Sequence, residues 1–172
     1  MKILVFSDCH GLPAYIRGGM QAHPDADAAV FLGDGAADAV SVFREFPHVP
    51  HCALAGNCDS RLSLSAHGLD LAEEAVLDFG GRKFFCLHGH TRGAKSGYGR
   101  MLLRASEVGA DAVLFGHTHL PVCEYEPDPA QLSRRILFFN PGSVGLSYDH
   151  TYGVIYVVNG GISAAHGKAE AK

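Results

Sequence analysis

The sequence predicts an α/β sandwich with a parallel half and a hairpin-rich half, on three observations. Residues 1–55 alternate short apolar runs with helical stretches, the strand–helix–strand order of a parallel sheet. Beyond residue 73 the apolar runs are joined by glycine turns, Gly80-Gly81 and Asn159-Gly160-Gly161, as in hairpins. Five apolar runs also stop at short polar clusters, and polar residues at strand ends collect along one edge of a sheet.

Taken in order, Lys2–Phe6 reads as a buried strand whose N-terminal place makes it central. Pro13–Ala22 is compatible with a first helix; Ala28–Leu32 is a second short strand, followed by a helix from Ala36 to Phe46. Val49–Ala55 is a third strand, and Arg61–Leu71, without a clear period, a loop or short helix. Glu74–Phe79 and Lys83–Leu87 flank the Gly80-Gly81 turn, and Tyr98–Val108 sets Met101, Leu102, Ala105 and Val108 at helical spacing. Ala112–Phe115, Val122–Tyr125, Arg135–Phe139 and Tyr152–Val158 read as strands. Glu126–Leu132 is a polar, proline-containing turn, and Ile162–Ala164 a last edge strand. One domain is expected over residues 1–166, with Gly167–Lys172 frayed.

The 172 residues suffice for one domain with a sizeable core, and 47% hydrophobic with 19% charged residues is ordinary for a soluble globular chain. A net charge of -4 and a pI near 6.2 argue against a surface for long nucleic acids. A small phosphorylated substrate remains compatible, because bound metal can supply positive charge locally. Cys9, Cys52, Cys58, Cys86 and Cys123 are odd in number and form no C-x-x-C, which points to a reducing compartment. The apolar run Ile3–Phe6 is too short for a signal peptide, and no segment approaches the ~18 apolar residues of a membrane span. The expected location is cytoplasmic, with no membrane partner; the oligomeric state stays open.

The clusters are S-D-C-H-G at Ser7–Gly11, G-D at Gly33–Asp34, G-N-C-D at Gly56–Asp59, H-G-H at His88–His90 and G-H-T-H at Gly116–His119. Residues two apart in an extended segment share a side, so Asp8 should converge with His10, and His117 with His119. Carboxylate and imidazole donors suit divalent transition metals. Asp34, Asn57 and His88 bring the donors to seven, too many for one closed tetrahedral site and fitting for two metals that share a carboxylate. Only Asp8 and Asp34 are anionic among the seven, so two divalent ions would leave a net charge of about +2 to attract phosphate and acidify a bridging water.

This order, D-x-H, G-D, G-N-x-D, H and G-H-x-H, resembles the calcineurin-like metallophosphoesterase superfamily from Met1 to about Gly145. The compact size and the strings G-N-C-D, H-G-H and N-P-G-S resemble its small bacterial and archaeal phosphodiesterase branch. The resemblance implies two mixed β-sheets flanked by helices. It implies a metal-dependent phosphodiesterase that cleaves a small phosphodiester by in-line attack of a metal-bridging hydroxide. Carried over by matching residues, Asp8, His10, Asp34 and His119 hold one metal, and Asp34 bridges to a second held by Asn57, His88 and His117. The cofactors implied are two divalent transition-metal ions, Mn²⁺ foremost, with Fe, Zn²⁺, Ni²⁺ or Co²⁺ as other occupants. Asp34, Asn57, Cys58, Asp59 and His88 form the expected catalytic set.

Two positions depart from many relatives. Cys58 stands where they place a histidine proposed to protonate the leaving group, and a thiol with a reference pKa near ~8.5 imitates imidazolium poorly. Aryl diesters should therefore outperform alkyl ones; the small phosphodiesterase branch often has cysteine here. Asp38 lies four residues after Asp34 instead of three, outside the ligand pattern. The alternatives are a phosphomonoesterase on the same site or a non-catalytic interaction scaffold like the retromer subunit of this fold; the complete ligand set argues against the scaffold. A nuclease would need a basic groove that the chain does not show.

Among the remaining residues, His90 is either a support or substrate contact beside His88 or a surface residue. Gly89–Ser96 falls short of a P-loop, with Ala94 in place of glycine, and Arg92 and Lys95 touch substrate or solvent. Asn140–Ser143 makes a tight turn under the site. Cys9 points into the core; Cys52, Cys86 and Cys123 are small buried hydrophobes, and the other six histidines pack or face solvent.

Overall fold

A computed structural model describes residues Met1–Lys172. The chain runs β1 (Lys2–Phe6), α1 (Pro13–Ala22), β2 (Ala28–Phe31), α2 (Ala36–Phe43), β3 (His51–Ala53), α3 (Arg61–Ala66), β4 (Glu74–Phe79) and β5 (Arg82–Leu87). It continues through α4 (Gly99–Glu107), β6 (Ala112–Phe115), β7 (Pro121–Asp128), β8 (Gln131–Pro141), β9 (Thr151–Val158) and β10 (Gly161–Lys168). Two mixed five-stranded sheets result, in the orders β10-β9-β1-β2-β3 and β4-β5-β6-β8-β7, with β1 central as expected.

Alternation along each strand decides the layers. In β1, Ile3 and Val5 join Val30, Phe84, Leu114, Phe139 and Ile155 in the core between the sheets. Leu4 and Phe6 turn the other way, onto a cluster with Ile16 and Met20 of α1 and Val42 and Phe43 of α2. On the far side, Phe85, Phe115 and Phe138 pack against Met101 and Ala105 of α4. Each of the larger of these side chains, buried to 2% exposure or less, contributes about 1.5–3 kcal/mol.

The parallel strands are not confined to the first half. β1 pairs parallel with β2 and β2 with β3, but β5, β6 and β8 are also mutually parallel, because the β7–β8 hairpin returns the chain beside β6. Boundaries shift for local reasons. α2 ends at Phe43, as Pro47 disfavours a helical Phe46. The β7–β8 ladder runs on through the segment expected as a turn; Pro127 is tolerated there because β7 is an edge strand. β10 pairs along the whole of β9 and reaches Lys168. The last residues, expected to fray, lie along α1: Lys172 N–H donates to the Ala14 carbonyl, and Gly18 leaves room for the Glu170 carbonyl, which a Cβ would meet at 1.8 Å.

β1, β2, β5 and β6 end at one shared rim, two strands from each sheet. Asp8, Asp34, His88 and His117 follow those ends within one to three residues.

Candidate metal centre

The ligand loops turn sharply as soon as their strands stop. Asp8, His10, Asp34, His117 and His119 have φ of 57°, 44°, 62°, 68° and 61°, in the left-handed region that residues other than glycine enter uncommonly, asparagine, aspartate and histidine most often among them. The extended geometry expected of D-x-H and H-x-H is therefore absent, with two consequences. Asp8 and His10 still meet, with His10 Nε2 3.7 Å from Asp8 Oδ1. His117 and His119 separate: His119 joins Asp8 and His10, while the His117 ring sits 5.1 Å from that of His88. Five such residues in one site store strain that the surrounding contacts must hold.

The motif glycines are reserved space. A Cβ on Gly56 would stand 2.2 Å from Asp34 Oδ1, and one on Gly116 would stand 2.0 Å from Ser7 Oγ and 2.8 Å from Asp8 Oδ2. Both carboxylates occupy the volume that a side chain would need.

Asp8 is fully buried and held by one oxygen. Its Oδ2 accepts from Ser7 Oγ at 2.5 Å and from the His117 amide at 3.1 Å. Its Oδ1 is buried without a hydrogen bond, although His119 Nε2 lies 3.1 Å away. His10 Nε2 and His119 Nε2 face each other at 3.4 Å. An orphaned carboxylate oxygen ringed by imidazole nitrogens is the donor arrangement a cation completes.

A second group forms around His88, also fully buried. Its Nδ1 lies 2.9 Å from the Leu32 carbonyl, and its Nε2 faces Asn57 Oδ1 at 3.1 Å and Asp34 Oδ2 at 3.4 Å. Burial opposes a charge on this ring, but Asp34 and Asp8 raise its pKa, so without metal a proton on Nε2 fills the gap. A cation would replace that proton and be met by three acceptors. Asn57 is aimed by its own amide, which donates to Cys58 Sγ at 3.3 Å. Asp34 lies between the groups, with Oδ2 3.9 Å from His10 Nε2 and Oδ1 accepting from the Cys58 amide at 2.7 Å. Burial opposes the Asp34 charge, but His88 and the Cys58 amide hold the carboxyl well below the usual range. Burial, then the charges of His88 and Lys95, lower the His117 pKa and keep its ring the neutral donor a metal needs.

The other expected residues divide. His90 stands with its ring 5.4 Å from that of His88, its Nδ1 buried and unpartnered. Cys58 is exposed at the mouth of the centre, Sγ within 4.8 Å of donor atoms of His10 and Asp34. Desolvation, then the carboxylates of Asp34, Asp59 and Asp8, push its thiol up to about 11. Asp59, expected among the reacting groups, is occupied by the backbone: Oδ2 accepts from Asp34 and Gly56 N–H at 2.8 and 2.9 Å, and Oδ1 from Gly35 and Ala36 N–H at 2.9 Å each. It clamps the Asp34 loop to the Asn57 loop. Arg92 is spent on a bidentate pair with Glu74 at 2.9 and 3.0–3.1 Å, while Lys95 is exposed. Cys9 is buried against the Gly35 carbonyl; Cys123, expected inside, is exposed on the edge strand β7.

Sequence reasoning undervalued Asn140. Fully buried at the end of β8, it donates to the Gly116 carbonyl at 2.9 Å and Thr118 Oγ1 at 3.1 Å, and accepts the Gly142 amide at 2.9 Å. Asn140 thus props the G-H-T-H loop from below. The signal available was N-P-G-S following a strand.

The sequence profile of the calcineurin-like phosphoesterase superfamily domain matches residues 1–160. The chain belongs to the calcineurin-like phosphoesterase superfamily. Among its relatives, the probable metallophosphoesterase YsnB of Bacillus subtilis is 31% identical over 147 residues, covering 85% of this chain and 76% of its own. Phosphodiesterase YfcE of Escherichia coli K12 is 32% identical over 164 residues, covering 85% and 80%. A solved YfcE structure, described as a phosphoesterase, superposes with a TM-score of 0.66 at 29% identity over 92% of this chain and 89% of its own. A conserved uncharacterised protein of Streptococcus pneumoniae shares the fold at a TM-score of 0.77, 21% identity and 99% and 92% coverage. The protein is a metal-dependent phosphoesterase of the small bacterial and archaeal kind, and its Asp/His groups can hold divalent metal. No helix is long and apolar enough to cross a membrane.

Proposed function

We propose that this superfamily member is a phosphodiesterase with a dinuclear centre acting on a small phosphodiester. One observation carries the reading: Asp34 stands between two donor groups, the first of Asp8, His10 and His119, the second of Asn57, His88 and His117. Two divalent cations bound there, Mn²⁺ foremost, would supply an acidified water and positive charge for the phosphoryl oxygens.

The chain's own residues do the positioning. Ser7 and the His117 amide turn the free Asp8 oxygen inward, the Leu32 carbonyl fixes the His88 ring, and Asp59 locks the Asp34 and Asn57 loops in register. In the reaction, water adds to phosphorus, the ester P–O bond breaks and the alcohol leaves with a proton, giving a monoester. Diester preference is supported by the cleft beside His10 and Cys58, whose lining contains no lysine or arginine to pair with a dianion. The relative YfcE is itself named a phosphodiesterase. The complete ligand set supports catalysis over a scaffold role, and the five unpaired cysteines fit a cytoplasmic setting. The test is a metal-reconstituted comparison of bis-p-nitrophenyl phosphate with p-nitrophenyl phosphate. A higher kcat/KM on the diester is expected; a higher value on the monoester overturns the assignment.

A further inference from the structure

A cleft of about 270 Å³ opens directly on the metal centre through His10 and Cys58, and its far wall carries Asp38, Ser63 and His67. Asp38 sits in the first turn of α2, where a carboxylate ordinarily serves the exposed N–H groups of the helix. Here that service is already rendered: Asp59 accepts the Gly35 and Ala36 amides that open the helix. Asp38 is left half-buried with no hydrogen bond or ion pair of its own. Just past the end of α3, His67 Nδ1 lies 2.8 Å from the Ser63 carbonyl; His67 Nε2 and the Ser63 hydroxyl have no protein partner, and both residues line the cleft.

These groups define what fits. Asp38 offers only acceptors, Ser63 both donates and accepts, and the His67 nitrogen adds a further polar contact. Hydroxyl groups use such a mixed set fully, whereas an ammonium would use the acceptors alone. The lining has no lysine or arginine to receive a second phosphate and no Phe, Tyr or Trp on which a nucleobase could stack. A cleft of this volume lies at the small end of ligand sites and suits a short group.

We propose that the cleft receives one alcohol arm of the diester and selects a short neutral polyol such as a glyceryl group, with Asp38 and Ser63 as specificity-determining residues. This rests on the phosphodiesterase reading above. It goes beyond that reading because Asp38 and α3 stand apart from the ligand set.

The test uses the metal-loaded full chain and three methyl phosphodiesters whose second arm is glyceryl, propyl or 2-aminoethyl. Each is measured as a competitor of bis-p-nitrophenyl phosphate hydrolysis and separately for binding by calorimetry. The glyceryl ester should bind at least tenfold more tightly than the propyl ester, and the ratio should fall toward one in Asp38→Ala. Should that variant not fold, Ser63→Ala, at an exposed position, must lower the same ratio. Equal binding of the glyceryl and propyl esters, or tighter binding of the 2-aminoethyl ester, overturns the proposal. Absence of bis-p-nitrophenyl phosphate turnover in the wild type would overturn the phosphodiesterase reading instead, and the calorimetric ratio would still judge the cleft.

Discussion

Asp59 accepts the backbone N–H of Asp34 at 2.8 Å with the same carboxylate oxygen that takes the Gly56 amide at 2.9 Å. The residue that lies between the two donor groups is thereby tied to the loop that carries Asn57. In Asp59→Asn, an NH₂ would confront backbone donors and the anionic acceptor would be gone. Stability should fall by about 1.5–3 kcal/mol, the range for hydrogen bonds to a charged group, and kcat/KM at least tenfold. Denaturant unfolding and steady-state kinetics measure both. Lost turnover with unchanged stability would place Asp59 on the substrate.

Metal stoichiometry tests the pairing of groups. The wild type, reconstituted and dialysed, should carry two ions per chain by elemental analysis, and His88→Ala one ion with turnover abolished. Saturating metal should raise the melting temperature of the wild type, since an ion at a hundredfold its Kd stabilises by about 2.7 kcal/mol. A single ion in the wild type would end the dinuclear reading.

Asn140 touches no donor atom of the centre, yet Asn140→Ala would free the Gly116 carbonyl, Thr118 Oγ1 and the Gly142 amide together. Metal affinity should drop roughly 10–100-fold, the usual cost of losing an outer support of a metal ligand. Calorimetric titration reads this, and an unchanged Kd would reduce Asn140 to a turn former.

In the proposed reaction Cys58 would stand beside the leaving group, where a thiol is a weaker acid than the imidazolium of many relatives. Diesters whose leaving group needs no proton should be cut fastest. The expected result is a kcat/KM on p-nitrophenyl methyl phosphate well above that on dimethyl phosphate, with a smaller gap in Cys58→His. Equal gaps in the two proteins would remove Cys58 from the reaction.

Much of this site was legible because its parts are local. Glycine, carboxylate and imidazole at strand ends are written in single stretches, and parallel strand ends meet at one rim whatever the loops do. The split of His117 from His119 was not legible from alternation, since that rule assumes an extended chain and these residues are left-handed. The role of Asp59 was hidden for another reason: its partners are backbone amides contributed by residues 34–36 and 56, and amides carry no residue identity. The extent of β7, β8 and β10 was likewise set by ladder partners, which composition around Pro127 and Gly167 obscured.

The positive φ of five ligand residues also bears on how robust this protein can become. At those positions glycine sits more comfortably than histidine or aspartate, so a screen for heat resistance in chelator would enrich substitutions there and return inert molecules. Selection for durability has to be run with cation present, or it will erase the activity it was meant to preserve.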